Sequence, residues 1–189
     1  TYSSSLSPLR NPPNDARLVS ETLKSLGFDV IEKVNANQKE MKIAVRDFSR
    51  KLSDSSKKQA VGLFYYAGHG SKHEAINPTL EDDGFDELFL LAGYDNRGEG
   101  TRERLMDDEL AYLFDQEAEA EVILVADSCY SGSMERGTDL RASQEIRRNN
   151  QLGISPAEDR LRAHLEELAN RPERSHPRLT KIFASSERT

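Results

Sequence analysis

Apolar residues recur along this chain with two different periods, one typical of helices and the other of strands. In "NPPNDARLVSETLKSLGF" they return every three or four residues, which predicts a helix capped by Asn14 or Asp15 and stopped at Gly27. A second helix is predicted to open at Asn37, and "MDDELAYLFDQ" predicts a short third helix capped by Asp107. These helices are separated by shorter apolar blocks.

The apolar blocks carry the β-branched, aromatic and aliphatic residues that favour strands. The predicted strands are "FDVIEKV", the run at 61–66, "ELFLLAGYD", the run at 121–126 and "LTKIFASS". Strands that alternate with helices indicate an α/β fold, with a mostly parallel central sheet and helices on both faces. The polar, acidic stretch 71–87 is predicted to be a surface loop.

Length and charge exclude several function classes. The 189 residues predict one domain over 1–189, and the net charge of −7 without a Lys/Arg cluster argues against binding nucleic acid or an anionic membrane. No apolar stretch approaches the ~18 residues of a membrane-spanning helix. The single cysteine excludes an internal disulfide, which predicts a reducing, cytoplasmic setting. The four histidines have no zinc-ligand spacing.

Two loops combine the residues of a thiol hydrolase. His69 lies between Gly68 and Gly70 directly after one buried strand, and Cys129 follows another in "DSCYSG". The carboxyl ends of parallel strands meet at one edge of a sheet, where a histidine can take a proton from a thiol and backbone N–H groups can bind an oxyanion. Each loop alone fits a simpler reading, a buried core cysteine or a histidine in a turn. Their joint occurrence favours catalysis.

"GLFYYAGHG" and "VILVADSCYSG" resemble the histidine and cysteine boxes of the caspase-like peptidases, in the branch of metacaspases, paracaspases and bacterial orthocaspases. The resemblance extends to "LSPLRNPPNDARLVSETLKSLGFDV" and to "EDDGFDELFLLAGYD" followed by "MDDEL". It implies a three-layer caspase-like fold and a cysteine endopeptidase. His69 would be the general base and acid, Cys129 the nucleophile, and the N–H groups of Gly70 and Cys129 the oxyanion donors.

The resemblance also has departures. Tyr130 stands where metacaspases usually carry histidine, outside the catalytic pair. The family's first strand and the end of its small-subunit portion are expected outside this chain, which implies a monomeric module of a larger polypeptide. Residues 133–155 are expected to form a mobile linker, in which self-cleavage is weighed against ordinary solvated charges at Arg136, Arg141, Arg147 and Arg148.

Two aspartates bear on which peptide bond would be cut. In the metacaspase-like branch, aspartates at the positions of Asp15 and Asp127 line the first specificity pocket and receive Arg or Lys. An unpaired, partly buried carboxylate is costly, so such a pocket rejects neutral and acidic side chains. The simpler readings are a helix cap for Asp15 and a turn residue for Asp127. Substrates are therefore expected to be proteins or peptides with Arg or Lys before the cut.

Calcium is the one cofactor that the resemblance brings in. Asp95, Asp107 and Asp108 match part of the aspartate set that holds calcium in many metacaspases, whereas Arg136 stands where a further acid is expected. Calcium binds about six to eight oxygens, so three carboxylates favour solvated loop acids over a metal site. No cofactor is expected to be required.

Two other classes of function remain open. One is a catalytically idle caspase-fold module that serves as a scaffold in a larger protein. The other is an α/β domain that binds phosphate or a nucleotide at "AGHGS", which is disfavoured because neither the P-loop Lys-Ser/Thr nor a GxGxxG motif is present. The complete pair His69 and Cys129, together with Asp15 and Asp127, favours the peptidase.

Overall fold

The structure is a computed structural model, and it describes residues 6, 8–53, 60–79, 81, 84–95, 102–117, 120–128, 161–163, 165–166 and 179–184. Cys129 and the predicted linker 133–155, with its four arginines, lie outside these residues. The described elements in chain order are α1 (Pro12–Ser25), α2 (Gln38–Leu52), β1 (Val61–Gly68), β2 (Gly70–Glu74), β3 (Phe85–Leu90), β4 (Arg104–Met106), α3 (Asp107–Glu117), β5 (Glu121–Ser128) and β6 (Leu179–Ala184).

A parallel sheet forms the centre of the fold, with the strand order β1-β5-β6. Its middle strand, β5, is buried at every second residue, and Leu124 and Ala126 are fully inaccessible to solvent. Parallel strands need crossover connections, and helices pack on the sheet to bury its apolar faces. The α/β fold class predicted from the sequence is confirmed.

A second sheet is antiparallel, with the order β2-β3-β4. Its first strand, β2, falls in the stretch 71–87 that the sequence predicted to be a loop, and for these residues that prediction is wrong. Polar side chains in β2 find cross-strand partners, which a single-strand pattern does not reveal. Lys72 lies opposite Glu87, and its Nζ is 3.5 Å from Glu87 Oε1.

The two faces of β1 contact different helices. Gly62 lies under α2, where a Cβ atom would come within 2.5 Å of Phe48 Cζ and 2.6 Å of Leu52 Cδ1. Phe64 on the same face packs edge-on against Phe114 of α3, with ring centroids 5.9 Å apart. Tyr65 points to the opposite face, towards α1, because side chains alternate along a strand.

The start of α2 and the end of α1 follow the sequence, whereas the start of α1 does not. Asn37 and Glu40 form a capping box at the start of α2. The Asn37 side chain accepts a hydrogen bond from the Glu40 N–H at 2.9 Å, and the Asn37 N–H donates a hydrogen bond to Glu40 Oε2 at 3.0 Å. α1 begins earlier than predicted, because Pro12 opens it after Asn11, so neither Asn14 nor Asp15 is the cap. Gly27 has a φ of +88° and ends the helix as predicted.

The predicted strand "FDVIEKV" is not a strand in the structure. Within the described part of the chain, residues 30–34 form no backbone hydrogen bond with another segment. A strand is defined by its partner, and no described strand pairs with this segment. One further finding concerns membranes: among the described residues, no helix combines the length and the apolar character needed to cross a bilayer.

Candidate active site

His69 is the single residue between the two sheets. It follows the last residue of β1 and precedes the first residue of β2, and only 8% of its surface is exposed. Its carbonyl oxygen accepts two hydrogen bonds, from the Tyr66 hydroxyl at 2.8 Å and from the Leu90 N–H at 3.0 Å. The same Tyr66 hydroxyl lies 2.7 Å from the Leu90 carbonyl oxygen. The backbone at the histidine is therefore fixed from both sheets.

The backbone N–H of Gly70 points away from the antiparallel sheet. The hydrogen bond from the Leu90 N–H to the His69 carbonyl makes these two residues a hydrogen-bonded pair, and Gly70 lies opposite Phe89 one position further along. Hydrogen-bonded and non-hydrogen-bonded pairs alternate in an antiparallel ladder. Gly70 thus belongs to a non-hydrogen-bonded pair on an outer strand, and its N–H is directed away from β3.

The parallel register aligns the ends of β1 and β5. Ala67 lies beside Asp127, and Gly68, the last residue of β1, lies beside Ser128, the last residue of β5. His69 is the next residue after Gly68. Cys129 is the next residue after Ser128 in the sequence, and its own placement lies outside the described residues. The two strand ends thus meet at the same level of the sheet.

Asp127 and Tyr65 contact each other on the face of the sheet that carries α1. The Tyr65 hydroxyl lies 3.4 Å from Asp127 Oδ2. The pKa of Tyr65 is raised to about 12, chiefly by burial and also by the negative charges of Asp127 and Asp15. The phenol therefore stays protonated at neutral pH and can donate to the carboxylate.

Asp15 approaches the same place from the first turn of α1. Its helix neighbours Pro12 and Ala16 line a cavity of about 280 Å³ together with Tyr65 and Ala67. The structure thus brings the two predicted pocket aspartates to one face of the sheet, with Tyr65 interacting electrostatically with both. The reading of Asp127 as a turn residue is wrong, because it lies within β5.

A separate group of carboxylates lies at the start of α3. Glu81, Asp107 and Asp108 each offer an oxygen within 4.8 Å of the others, and Asp107 is fully buried. Asp95, which the sequence grouped with Asp107 and Asp108, is not in this group, and Glu81 takes its place. The burial of Asp107 and Asp108 also excludes the reading of solvated loop acids. Carboxylate oxygens suit calcium, and bidentate binding by all three would supply about six ligands.

Sequence reasoning missed three residues around these sites. Tyr65 and Tyr66 are consecutive in a strand, so they project to opposite faces, one to the acidic pair and the other to the backbone of His69. Their alternation in "FYYAGHG" was a usable signal. Glu81 carried no signal, because its approach to Asp107 and Asp108 depends on how the intervening chain folds.

Comparison with known proteins places this arrangement in a family. A structural-genomics protein from Geobacter sulfurreducens has a similar fold, with a TM-score of 0.50 and 19% sequence identity. The match covers 90% of this chain and 60% of that protein, so this chain spans less than two thirds of its length. No significant match is found among curated proteins. The family model of the caspase domain matches residues 1–186, and the chain therefore belongs to the caspase-domain family of cysteine peptidases.

Proposed function

We propose that this domain is a cysteine endopeptidase that hydrolyses peptide bonds after Arg or Lys, with His69 and Cys129 as its catalytic pair. The observation that carries the proposal is the register between β1 and β5, in which Gly68 lies beside Ser128. The next residue along each strand is the histidine in one case and the only cysteine of the chain in the other. Membership in the caspase-domain family supports the same chemistry.

The proposed reaction runs through a thioester. His69 takes the proton of the Cys129 thiol, and the sulfur attacks the carbonyl carbon of the substrate. The C–N bond then breaks as His69 gives the proton to the leaving amine. Water, deprotonated by His69, attacks the thioester, and the thiol leaves with the returned proton. The two hydrogen bonds to the His69 carbonyl oxygen fix the backbone from which the ring acts.

The oxyanion formed in each addition step needs donors that the fold does not use elsewhere. Within the described part of the chain, the Gly70 N–H meets this condition, because it belongs to a non-hydrogen-bonded pair and is directed away from β3. We assign the N–H of Cys129 as the second donor. A glycine at position 70 also leaves the approach to its N–H free of a side chain.

The preference for a basic residue is assigned to Asp15 and Asp127. Two carboxylates on one face of the sheet, near the end of β1, produce a negative potential that favours a cationic side chain. An Asp or Glu side chain would be repelled by the same charges. The substrate class is therefore a protein or peptide segment with Arg or Lys before the cut.

The proposed hydrolysis uses protein groups and water, within a reducing cytoplasm that keeps the thiol reduced. Glu81, Asp107 and Asp108 would hold a calcium ion, and its chemistry there would be to neutralise buried carboxylates. None of these residues has a part in the steps above. Measuring hydrolysis with excess EGTA and with added calcium tests this separation, and complete dependence on calcium would contradict it.

The decisive experiment compares fluorogenic peptides that differ only in the residue before the cut, which is Arg, Lys, Leu or Asp. We expect hydrolysis of the Arg and Lys peptides, and a loss of more than about a thousandfold in Cys129→Ala and in His69→Ala, since the two residues act as one unit. His73→Ala is the matched control, because His73 lies in β2 and its Nδ1 bonds the Glu74 carbonyl oxygen. It should retain full activity.

Two outcomes would overturn the proposal. Activity within tenfold of the wild type in Cys129→Ala or His69→Ala would remove the catalytic pair. A correctly folded wild-type protein that cuts none of the four peptides, with or without calcium, would favour the idle caspase-fold module over the peptidase.

A further inference from the structure

Tyr65 lies on the same face of the parallel sheet as Asp127. Tyr65 lies on β1 two residues before Ala67, which is beside Asp127 in the register. Its hydroxyl is 3.4 Å from Asp127 Oδ2, and Tyr65 lines the cavity that the first turn of α1 also lines. No other hydrogen bond to the Asp127 side chain is present among the described residues.

The geometry points to Tyr65 as a positioning residue that orients the Asp127 carboxylate and thereby favours Arg over Lys before the cut. This inference rests on the proposed function and deepens it by explaining how the pocket would distinguish Arg from Lys. Tyr65 would act through Asp127 and would take no part in bond breaking, so it is not a catalytic residue.

The physical argument starts from the repulsion between two carboxylates. Burial, together with the negative charges of Asp127 and Asp15, raises the pKa of the Tyr65 phenol and keeps it protonated well above neutral pH. A phenol that stays protonated is a neutral donor, so it can bind one oxygen of Asp127 without cancelling the negative charge of the pocket. Asp127 is then held in one orientation while both negative charges remain available.

Arg and Lys differ in what they need from such a carboxylate. A guanidinium is planar and binds a carboxylate through two parallel N–H bonds, so it gains most when the plane of the carboxylate is fixed. An ammonium is a compact charge with three rotatable donors and depends little on that plane. Removing the Tyr65 hydroxyl should therefore weaken the binding of Arg much more than the binding of Lys.

The neighbouring tyrosine shows that this is not a general need for a hydroxyl in β1. Tyr66 projects to the opposite face, and its hydroxyl bonds the carbonyl oxygens of His69 and Leu90. Two consecutive tyrosines thus act at two separate places. One hydroxyl fixes the backbone at the catalytic histidine, and the other fixes an acid of the pocket.

The test is Tyr65→Phe, assayed with two peptides that differ only in Arg or Lys before the cut. We expect kcat/KM for the Arg peptide to fall about tenfold through KM, and kcat/KM for the Lys peptide to change by less than about threefold. Tyr112→Phe, the same loss of one hydroxyl on α3, should leave the ratio unchanged. A purely structural effect would lower kcat/KM equally for both peptides. Titrating the reactive thiol gives the concentration of active protein and so corrects for misfolded protein.

A double variant separates positioning from direct binding. If Tyr65 acts through Asp127, adding Tyr65→Phe to Asp127→Asn should lower kcat/KM for the Arg peptide by less than about twofold. An unchanged Arg-to-Lys ratio in Tyr65→Phe, or a full additional loss in the double variant, would overturn the inference while the peptidase stands. A wild-type protein that cuts neither peptide would instead overturn the proposed function, and this inference with it.

Discussion

Asp86 offers a stability test that is independent of catalysis. It lies in β3, is fully buried, and uses Oδ2 to accept a hydrogen bond from the Ile76 N–H at 3.0 Å. Its Oδ1 has no hydrogen-bond partner among the described residues. The pKa of Asp86 is raised to about 7, chiefly by burial and also by the nearby charges of Asp108 and Asp107, although the hydrogen bond from the Ile76 N–H lowers it. The folded protein therefore prefers the neutral acid.

The sign of the pH dependence follows from where the proton is bound. Between pH 3.8 and about 7, the folded state keeps the proton on Asp86 and the unfolded chain releases it. The free energy of unfolding should therefore fall as the pH rises through this window and level off above it. A pKa raised from 3.8 to about 7 corresponds to a decrease of at most about 4 kcal/mol in the free energy of unfolding, at about 1.36 kcal/mol per pKa unit.

Asp86→Asn should remove this loss of stability at rising pH. The amide keeps an oxygen for the Ile76 N–H and presents an NH₂ group, which is a donor, to the acidic surroundings. Urea unfolding at intervals from pH 4 to pH 8, with EGTA present, should show a variant that is more stable than the wild type at pH 8 by about 2–4 kcal/mol. The advantage should shrink towards pH 4.

The control is Asp47→Asn, the same chemical change on the surface of α2, where Asp47 pairs with Arg50. Exposed pairs of this kind contribute about 0–1 kcal/mol, so its stability curve should run parallel to that of the wild type. If the Asp86→Asn and wild-type curves are also parallel from pH 4 to pH 8, the argument from burial of Asp86 is refuted.

Three further predictions address packing, specificity and self-cleavage. Gly62→Ala should destabilise the fold by about 1–3 kcal/mol in urea unfolding, because its Cβ would overlap α2 side chains, and an unchanged midpoint would contradict that packing. Asp127→Asn and Asp15→Asn should each lower kcat/KM for an Arg peptide by the equivalent of about 1–3 kcal/mol of transition-state binding, and equally fast cleavage after Asp would exclude the acidic pocket. Intact masses of active protein and of Cys129→Ala should show fragments ending at arginines of 133–155 only in the active sample, and an uncut active chain would rule out self-cleavage as a requirement.

The sequence was a good guide wherever structure is local. Asn37 with Glu40 carries its own capping information, and the apolar stripe of α2 lies within the same 15 residues. Gly27 likewise marks the end of α1 because a positive φ suits glycine. The start of α1 was misjudged because two cap-forming residues, Asn14 and Asp15, follow the prolines that actually begin the helix.

The sequence was a poor guide wherever a partner decides the outcome. Residues 30–34 have strand-forming composition, yet they pair with no described strand. β2 has the opposite character, since its polar residues form a strand because β3 lies alongside it. The cluster of Glu81, Asp107 and Asp108 could not be predicted for the same reason, because nothing in their sequence spacing reveals that their oxygens approach each other.

Gly68 and Gly70 mark the point at which the chain passes from one sheet to the other. In the structure, Gly68 ends the parallel pairing beside Ser128, whereas Gly70 begins the antiparallel pairing opposite Phe89. The chain therefore changes sheets across a single residue, and the Tyr66 hydroxyl bonds the backbone at that point. A histidine fixed at the junction of two sheets has little freedom to leave the strand end, which is the property that a proton-transfer residue requires.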